Sequence, residues 1–494
     1  MPASDQLTAL DATFLELEQD DEGALMHIGS AMVFQPGPGC GVPTVTQLRA
    51  HLGERLDRLP RYRQKLGAPR TGGLAWPNWE EDPRFDIETH VRHATLPWPG
   101  DEPELLDWVS DFYSHRLDRN RPLWEIVLLD GLAGGRWAIV TKTHHCLVDG
   151  IGSVGIVDLL FHPNPAPRQL PPPAPAGNGL SLDVRRYVPL PVTLPSLPVG
   201  VPSLPVTVPG PPAPVRQAAG AGLAAARAGA HALVHPRESL ERSREVIDLL
   251  IRDELFAAPR SSINVPIGAT RRIDFVRVEL RELQEIRRAL GGKLNDVVLA
   301  VATGALRELL VARGEQPPKR GLRAMVPVSI RREHDHGELG NKISSLFIEL
   351  PVAEADSRRR YELVGASTAR HKAAGQAEGA GAIIGLTELA PPLLHVSLAR
   401  ALYAKRLFNI TITNVPGASE PPSVFGAKLA EVVPIVPLAA EHALGIVAVS
   451  FDGQMVFGLC ADRASVPDFD VFKAGVISSL AELHALAVAA TATT

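Results

Sequence analysis

Cysteine is scarce: Cys40, Cys146 and Cys460 are the only three in 494 residues, far apart and without CxxC or mixed Cys/His ligand spacing. That scarcity argues against a disulfide framework and suits a reducing compartment. Surplus charge is lacking too. Fifty basic residues against 55 acidic ones give a net charge of -5, which leaves no cationic excess for neutralising phosphates, so nucleic acid is not an expected partner. No run of about 20 uncharged apolar residues stands out, and none is expected to span a membrane. The acidic start, MPASDQLTALDATFLELEQDDEG, lacks the basic-then-apolar order of a secretory signal. A cytoplasmic protein with at most peripheral membrane contact is expected. Also missing are a GxSxG elbow, a GxxxxGK[ST] loop and HExxH, which removes the serine-hydrolase, P-loop and zincin readings.

What is present fits a folded protein with ample core: 45% hydrophobic and 21% charged residues, with only 5% aromatics. The length, about two to four typical domains, predicts two as the first expectation. Between Pro163 and Pro214 lie 17 of the 44 prolines, a density that forbids regular helix and central strand and favours extended backbone. The divisions expected are a first domain over 1–162, a Pro-rich apolar linker or insert over 163–215, connecting helices over 216–260, a second domain over 261–485 and a frayed tail over 486–494.

Periodicity predicts an alternation of helices and strands in both halves, an α/β or α+β class with mixed sheets flanked by helices. LTALDATFLELE reads as a short helix, and a strand follows around Ile28 to Phe34. Leu48, Leu52, Leu56 and Leu59 predict a helix stopped by Pro60, and ELLDWVSDFYSHRLDR another. Trp124–Leu129 and Trp137–Thr143 predict a hairpin. Later strands are expected in RRIDFVRVELR, LRAMVPVSIR, NKISSLFIELPV and LFNITITNVPG. ALGIVAVSFDGQMVFGLCADR predicts a hairpin turning at Asp452-Gly453.

One stretch concentrates chemistry: His144-His145-Cys146-Leu147-Val148-Asp149-Gly150. It ends a strand whose alternation places His145 on the face opposite His144. Histidine accepts a proton near neutral pH, so His145 at a strand end can serve as a general base; the bland alternative is a histidine that merely caps the strand. Asp149 either orients the imidazole or turns away to fix the turn, and Gly150 suits a positive φ. Cys146, on the other side of the strand from His145, is a poor partner for a Cys/His nucleophile pair. His144, His145 and Asp149 do not have zinc-ligand spacing, and no metal site is expected. Asn295-Asp296 opens a helix after Gly291-Gly292, as a cap or as a helix N-terminus aimed at developing negative charge.

The stretches LTALDATFLELE, MHIGSAMVF, LPRYRQKL, RNRPLWEIVLLDGL, HHCLVDGIG, LNDVVLA, LRAMVPVSIR, GNKISSLFIELP, NITITNVPG and LCADR together resemble the bacterial wax ester synthase/acyl-CoA:diacylglycerol acyltransferase family. HHxxxDG alone is shared with condensation domains and other acyltransferases; PLW, ND and NVPG in the same order sharpen the match. Residues 163–215 stand outside these stretches. The resemblance implies two chloramphenicol-acetyltransferase-like domains with an active-site tunnel between them. It implies His145 as general base, His144 in support, Asp149 in an orienting structural role, Asn295 as an oxyanion or acceptor contact, and Gly150, Asn414 and Asp296 on the substrate side. It also implies acyl-CoA as co-substrate with no further cofactor, and diacylglycerol or a long-chain fatty alcohol as acceptor at a membrane or lipid-inclusion surface. A lipid-surface protein that keeps the fold without turnover is the rival from another class, and the intact HHxxxDG speaks against it.

Overall fold

The structure, a computed structural model, describes residues 7, 9–68, 77–147, 257–329, 343–373, 407–417 and 420–492. The Pro-rich stretch, the connecting helices expected over 216–260, Asp149 and Gly150 lie outside the described residues. The helices are α1 (Ala9–Asp20), α2 (Val45–Gly53), α3 (Ile87–His90), α4 (Glu102–Tyr113), α5 (Leu280–Leu290), α6 (Leu294–Ala312), α7 (Ser357–Ala373) and α8 (Phe469–Ala492). The strands of the first half are β1 (His27–Pro36), β2 (Gln64–Leu66), β3 (Trp79–Glu81), β4 (Val91–Thr95), β5 (Trp124–Asp130) and β6 (Trp137–His144). Those of the second are β7 (Arg271–Glu279), β8 (Leu322–Ser329), β9 (Ile343–Leu350), β10 (Ile410–Pro416), β11 (Ser423–Val424), β12 (Ala427–Ile435), β13 (Leu444–Phe451) and β14 (Gln454–Asp462).

Two mixed six-stranded sheets result, ordered β11-β12-β1-β6-β5-β4 and β7-β14-β13-β10-β8-β9. The mixed α/β class expected from periodicity is what forms. Both hairpins form as well: Trp124 lies opposite Thr143 in β5–β6, and β13–β14 turns at Asp452 (φ 44°) and Gly453 (φ 77°). Two positive φ values are what a two-residue primed turn requires.

One sheet crosses the division expected from the sequence. β11 and β12 fall within the stretch assigned to a second domain, yet β12 pairs antiparallel with β1 and completes the first sheet. β1 is interior, with β6 on one edge and β12 on the other, so its backbone groups are satisfied only when the second half of the chain returns. β12 crosses the second sheet at Gly458, where an added Cβ would stand 2.0 Å from the Pro434 carbonyl oxygen. The free edge of β7 is covered by α4: Ser110 Oγ and Ser114 Oγ accept from the Ile273 and Arg271 N–H groups at 2.9 and 2.8 Å. Serines on the last turns of a helix thus stand in for a missing neighbour strand.

Two local expectations change. The leucine-spaced helix stops at Gly53, and two 3₁₀ turns, Leu56–Arg58 and Pro60–Arg63, bury Leu56 and Leu59 instead. Pro60 begins the second turn, where its missing N–H costs nothing. The tail expected to fray from 486 is helix to Ala492, as good helix formers allow. α8 is also long and apolar enough to cross a membrane by length and composition. Its residues Phe469, Phe472, Val476, Leu480, Leu483 and Ala487 are nevertheless buried at helical spacing in the core shared with α5 and α6.

Gly458→Val places side-chain atoms against that backbone carbonyl and pushes β12 from β14, and overpacking of this kind costs about 1–3 kcal/mol or more. A lowered thermal midpoint is expected; an unchanged one would show that the sheets do not depend on this contact.

Candidate active site

The two histidines sit where β6 ends. His144 closes the strand opposite His27, the first residue of β1. The His145 N–H donates to the Met26 carbonyl at 2.8 Å, carrying the pairing one residue further. The chain then turns: the Leu147 N–H donates to the His144 carbonyl at 2.9 Å, and the Cys146 N–H donates to His144 Nδ1 at 3.2 Å. Nδ1 is therefore an acceptor, and the network assigns the proton to Nε2.

Nε2 of His144 faces Glu18 of α1, 3.5 Å from Oε2. The same carboxylate lies 3.1 Å from His27 Nε2 and takes Nη2 and Nε of Arg119 at 2.7 and 3.2 Å. Arg119 and Arg116 also donate to the last carbonyls of α1, at Leu15, Glu18 and Asp21, the end of a helix that favours cations. The Glu18 side chain is 2% exposed. Burial alone would raise its pKa, but the adjacent His144 and His27 outweigh it and hold the carboxyl far below the usual range. Burial lowers His144 and pulls His27 down to about 4, with Glu18 opposing in both. The cluster at neutral pH is one carboxylate, one guanidinium and two neutral imidazoles. Lys142, on the same strand face and 1% exposed, is held by the Phe112 and His115 carbonyls and by Glu125.

His145 points elsewhere. Its ring stacks on Phe14 of α1 at 4.0 Å between centroids and keeps partial exposure. Desolvation lowers its pKa, with His144 adding to the effect. The imidazole is neutral at pH 7. Cys146 is buried in the apolar cluster with Leu147, Trp124, Trp137 and Phe34, and burial pushes its thiol pKa well up. It is unsuited to act as a nucleophile.

Asn295 lies in the first turn of α6, half-buried, but the N-cap is Lys293 rather than Asn295. Asp296 is buried, and both oxygens are engaged, accepting from the Lys293 N–H at 2.7 Å and from Thr368 Oγ1 of α7 at 2.7 Å. Asn414 is half-buried near the end of β10, opposite Ala448 of β13. No group of His, Cys, Asp and Glu among the described residues could hold a metal ion. Glu18, His27 and Arg119 are the site residues that sequence reasoning missed. All three stand inside stretches quoted for the family resemblance, which was the one signal available for them.

Two mixed sheets interlocked by a returning strand, with paired histidines at a strand end, define the chloramphenicol-acetyltransferase-like fold of acyl-transfer and condensation proteins. A condensation domain of the CDA synthetase shares that fold, at 16% identity and TM-score 0.58 over 98% of this chain and 97% of its own. The sequence matches the wax ester synthase/diacylglycerol acyltransferase catalytic domain over residues 7–298, across the Pro-rich stretch, and the WS/DGAT C-terminal domain over 339–484. It is 31% identical to the probable diacylglycerol O-acyltransferase tgs2 of Mycobacterium tuberculosis, over 96% of this chain and 97% of that one. Identity to tgs1 of the same organism is 29%, over 97% and 96%. The wax ester synthase/diacylglycerol acyltransferase from Marinobacter aquaeolei VT8 is similar in structure, with TM-score 0.68 and 26% identity over 98% of this chain and 99% of that one. The chain belongs to the wax ester synthase/diacylglycerol acyltransferase family and is an acyltransferase.

The cluster makes the fold acid-sensitive. His27 and Glu18 both have folded pKa values below their unfolded ones, so their stabilisation is complete above the unfolded values and lost as pH falls. For His27 the window runs from 6.5 to about 4 and is worth on the order of 3 kcal/mol at about 1.4 kcal/mol per unit; Glu18 adds to the loss below that. Thermal midpoints should fall from pH 7 to pH 4.5, and His27→Gln should flatten the dependence. A midpoint that rises toward acid would contradict this account.

Proposed function

We propose that the protein transfers a long-chain acyl group from acyl-CoA to the free hydroxyl of diacylglycerol, forming triacylglycerol, with His145 as general base. The observation that carries the reading is the position of His145: a neutral, partly exposed imidazole at a strand end, anchored through its backbone and stacked on Phe14. The acceptor oxygen gives its proton to the imidazole while attacking the thioester carbonyl. Asn295 or a neighbouring backbone N–H stabilises the tetrahedral oxyanion. The carbonyl re-forms, the C–S bond breaks, and the imidazolium protonates the departing thiolate to give free CoA. His144 supports the turn and Asp149 orients it. Asn414 and Gly150 belong to the substrate side, and Asp296 serves the start of α6, where both its oxygens are used.

The names of the mycobacterial relatives favour diacylglycerol as acceptor. The Marinobacter relative's name covers wax ester synthesis as well, so a long-chain fatty alcohol is the second reading. Both acceptors reside in a lipid phase, and we place the enzyme in the cytoplasm, peripherally at a membrane or lipid-inclusion surface.

Labelled acyl-CoA supplied in turn with diacylglycerol, hexadecanol and monoacylglycerol, with products separated, tests the acceptor; triacylglycerol should dominate, and a wax ester as the main product would reverse the assignment. His145→Ala should abolish acceptor-dependent CoA release, and retained turnover would sink the mechanism. Cys146→Ala should keep most activity; its loss would revive a nucleophilic route.

A further inference from the structure

We propose that α1 sets the geometry of the two-histidine turn through Glu18 and Phe14, which makes Glu18 a positioning residue for His145. This rests on His145 being the base. Residues four apart share a helix face, and α1 uses that spacing to reach both histidines: Phe14 stacks on the His145 ring and Glu18 faces His144 Nε2.

The contact with His144 reaches His145 through the backbone. With Nε2, which lies 3.5 Å from Glu18 Oε2, carrying the proton, His144 leaves Nδ1 as a lone pair, and that lone pair accepts the Cys146 N–H. The peptide unit preceding His145 is fixed by its own N–H on the Met26 carbonyl. The peptide unit following it is fixed by the Cys146 bond. Both backbone neighbours of the base are thereby held, the second only while His144 keeps the tautomer that Glu18 selects. A protonated or flipped His144 would present an N–H to an N–H and release the turn. Glu18 is itself immobilised by two N–H groups of Arg119 and by His27. The Phe14 ring then limits rotation of the His145 imidazole about its side-chain bonds.

The experiment compares Glu18→Gln, Phe14→Leu, Phe14→Tyr and His145→Ala in the full-length enzyme, measuring kcat, KM for acyl-CoA, thermal midpoint and the ¹⁵N signature of the His144 tautomer. In Glu18→Gln, kcat should fall on the order of tenfold to a hundredfold, the scale of a small misplacement of a reacting group. KM should stay near the wild-type value, and His144 should lose its single-tautomer signature. Phe14→Leu, which keeps apolar bulk without a flat ring, should lower kcat several-fold with little change in melting, and Phe14→Tyr should restore it. Wild-type kcat in folded Glu18→Gln, or an unchanged His144 tautomer there, overturns the role of Glu18. If Glu18→Gln does not fold, Phe14→Leu decides, and wild-type kcat in that variant overturns the proposal. An active His145→Ala variant would instead refute the reading of His145 as base, a result separable from the others.

Discussion

β1 is buried on both faces and paired on both edges, and its two partners come from opposite halves of the chain. Met32 and Phe34 join one apolar cluster, Ala31 and Val33 the other; β6 supplies one edge and β12, about 400 residues after β1, the other. A strand placed this way cannot leave N–H and C=O groups unpaired, because no water reaches them. The first sheet is therefore incomplete until the second half of the chain is in place. Long-range pairing of this kind delays the reward for ordering the chain, so folding is expected to be slow and cooperative across both halves. The site inherits that cooperativity, because β1 begins at His27, directly opposite His144.

The charges gathered at that end of β1 are costly to bury and pay for themselves only as a complete set. A carboxylate removed from water loses more than one ion pair returns unless its remaining lone pairs are also used. Glu18 meets an arginine, which cannot give up its proton, through Oε2 and lies close to two histidines, which stay neutral because burial outweighs the pull of the carboxylate. The formal charges of Glu18 and Arg119 cancel, and His145 has no bare cation beside it from this cluster. A cationic His144 would lower the basicity of His145 further, so keeping His144 neutral favours proton acceptance next door.

Much of this was legible in the sequence, and the rest was hidden for identifiable reasons. Alternation and turn chemistry act between near neighbours, so β1, β5, β6, β13 and the Asp452-Gly453 turn could be read directly. The separation of His144 from His145 followed from the two-residue period of β6. What alternation does not carry is which strand pairs with which. The return of β12 to β1 depends on matching edges far apart in sequence, and nothing within Ala427–Ile435 states the partner. Glu18 was hidden in the same way: a glutamate near the end of an amphipathic helix normally faces water, and only the approach of His27, Arg119 and His144 from three other segments makes it a buried hub. Pro60 misled for a different reason. Proline stops a helix when it falls inside one and starts a turn when it falls first, and the break at Gly53 had already ended α2.

The position of Cys146 also bears on how the two substrates meet. Acyl transfer through an enzyme-bound thioester would need a thiolate within reach of the base, with acyl-CoA leaving before the acceptor arrives. Here the residue following His145 turns its sulfur into apolar packing on the far side of the strand, where burial keeps it protonated. In the proposed mechanism His145 transfers a proton, and proton transfer to or from the acceptor is useful only while the thioester is present. Under the proposed mechanism, acyl-CoA and the lipid hydroxyl must occupy the site together, one on each side of a single imidazole. In that mechanism, holding His145 from several directions serves a purpose. A group that must first accept a proton from one substrate and then deliver it to the other has little tolerance for displacement toward either.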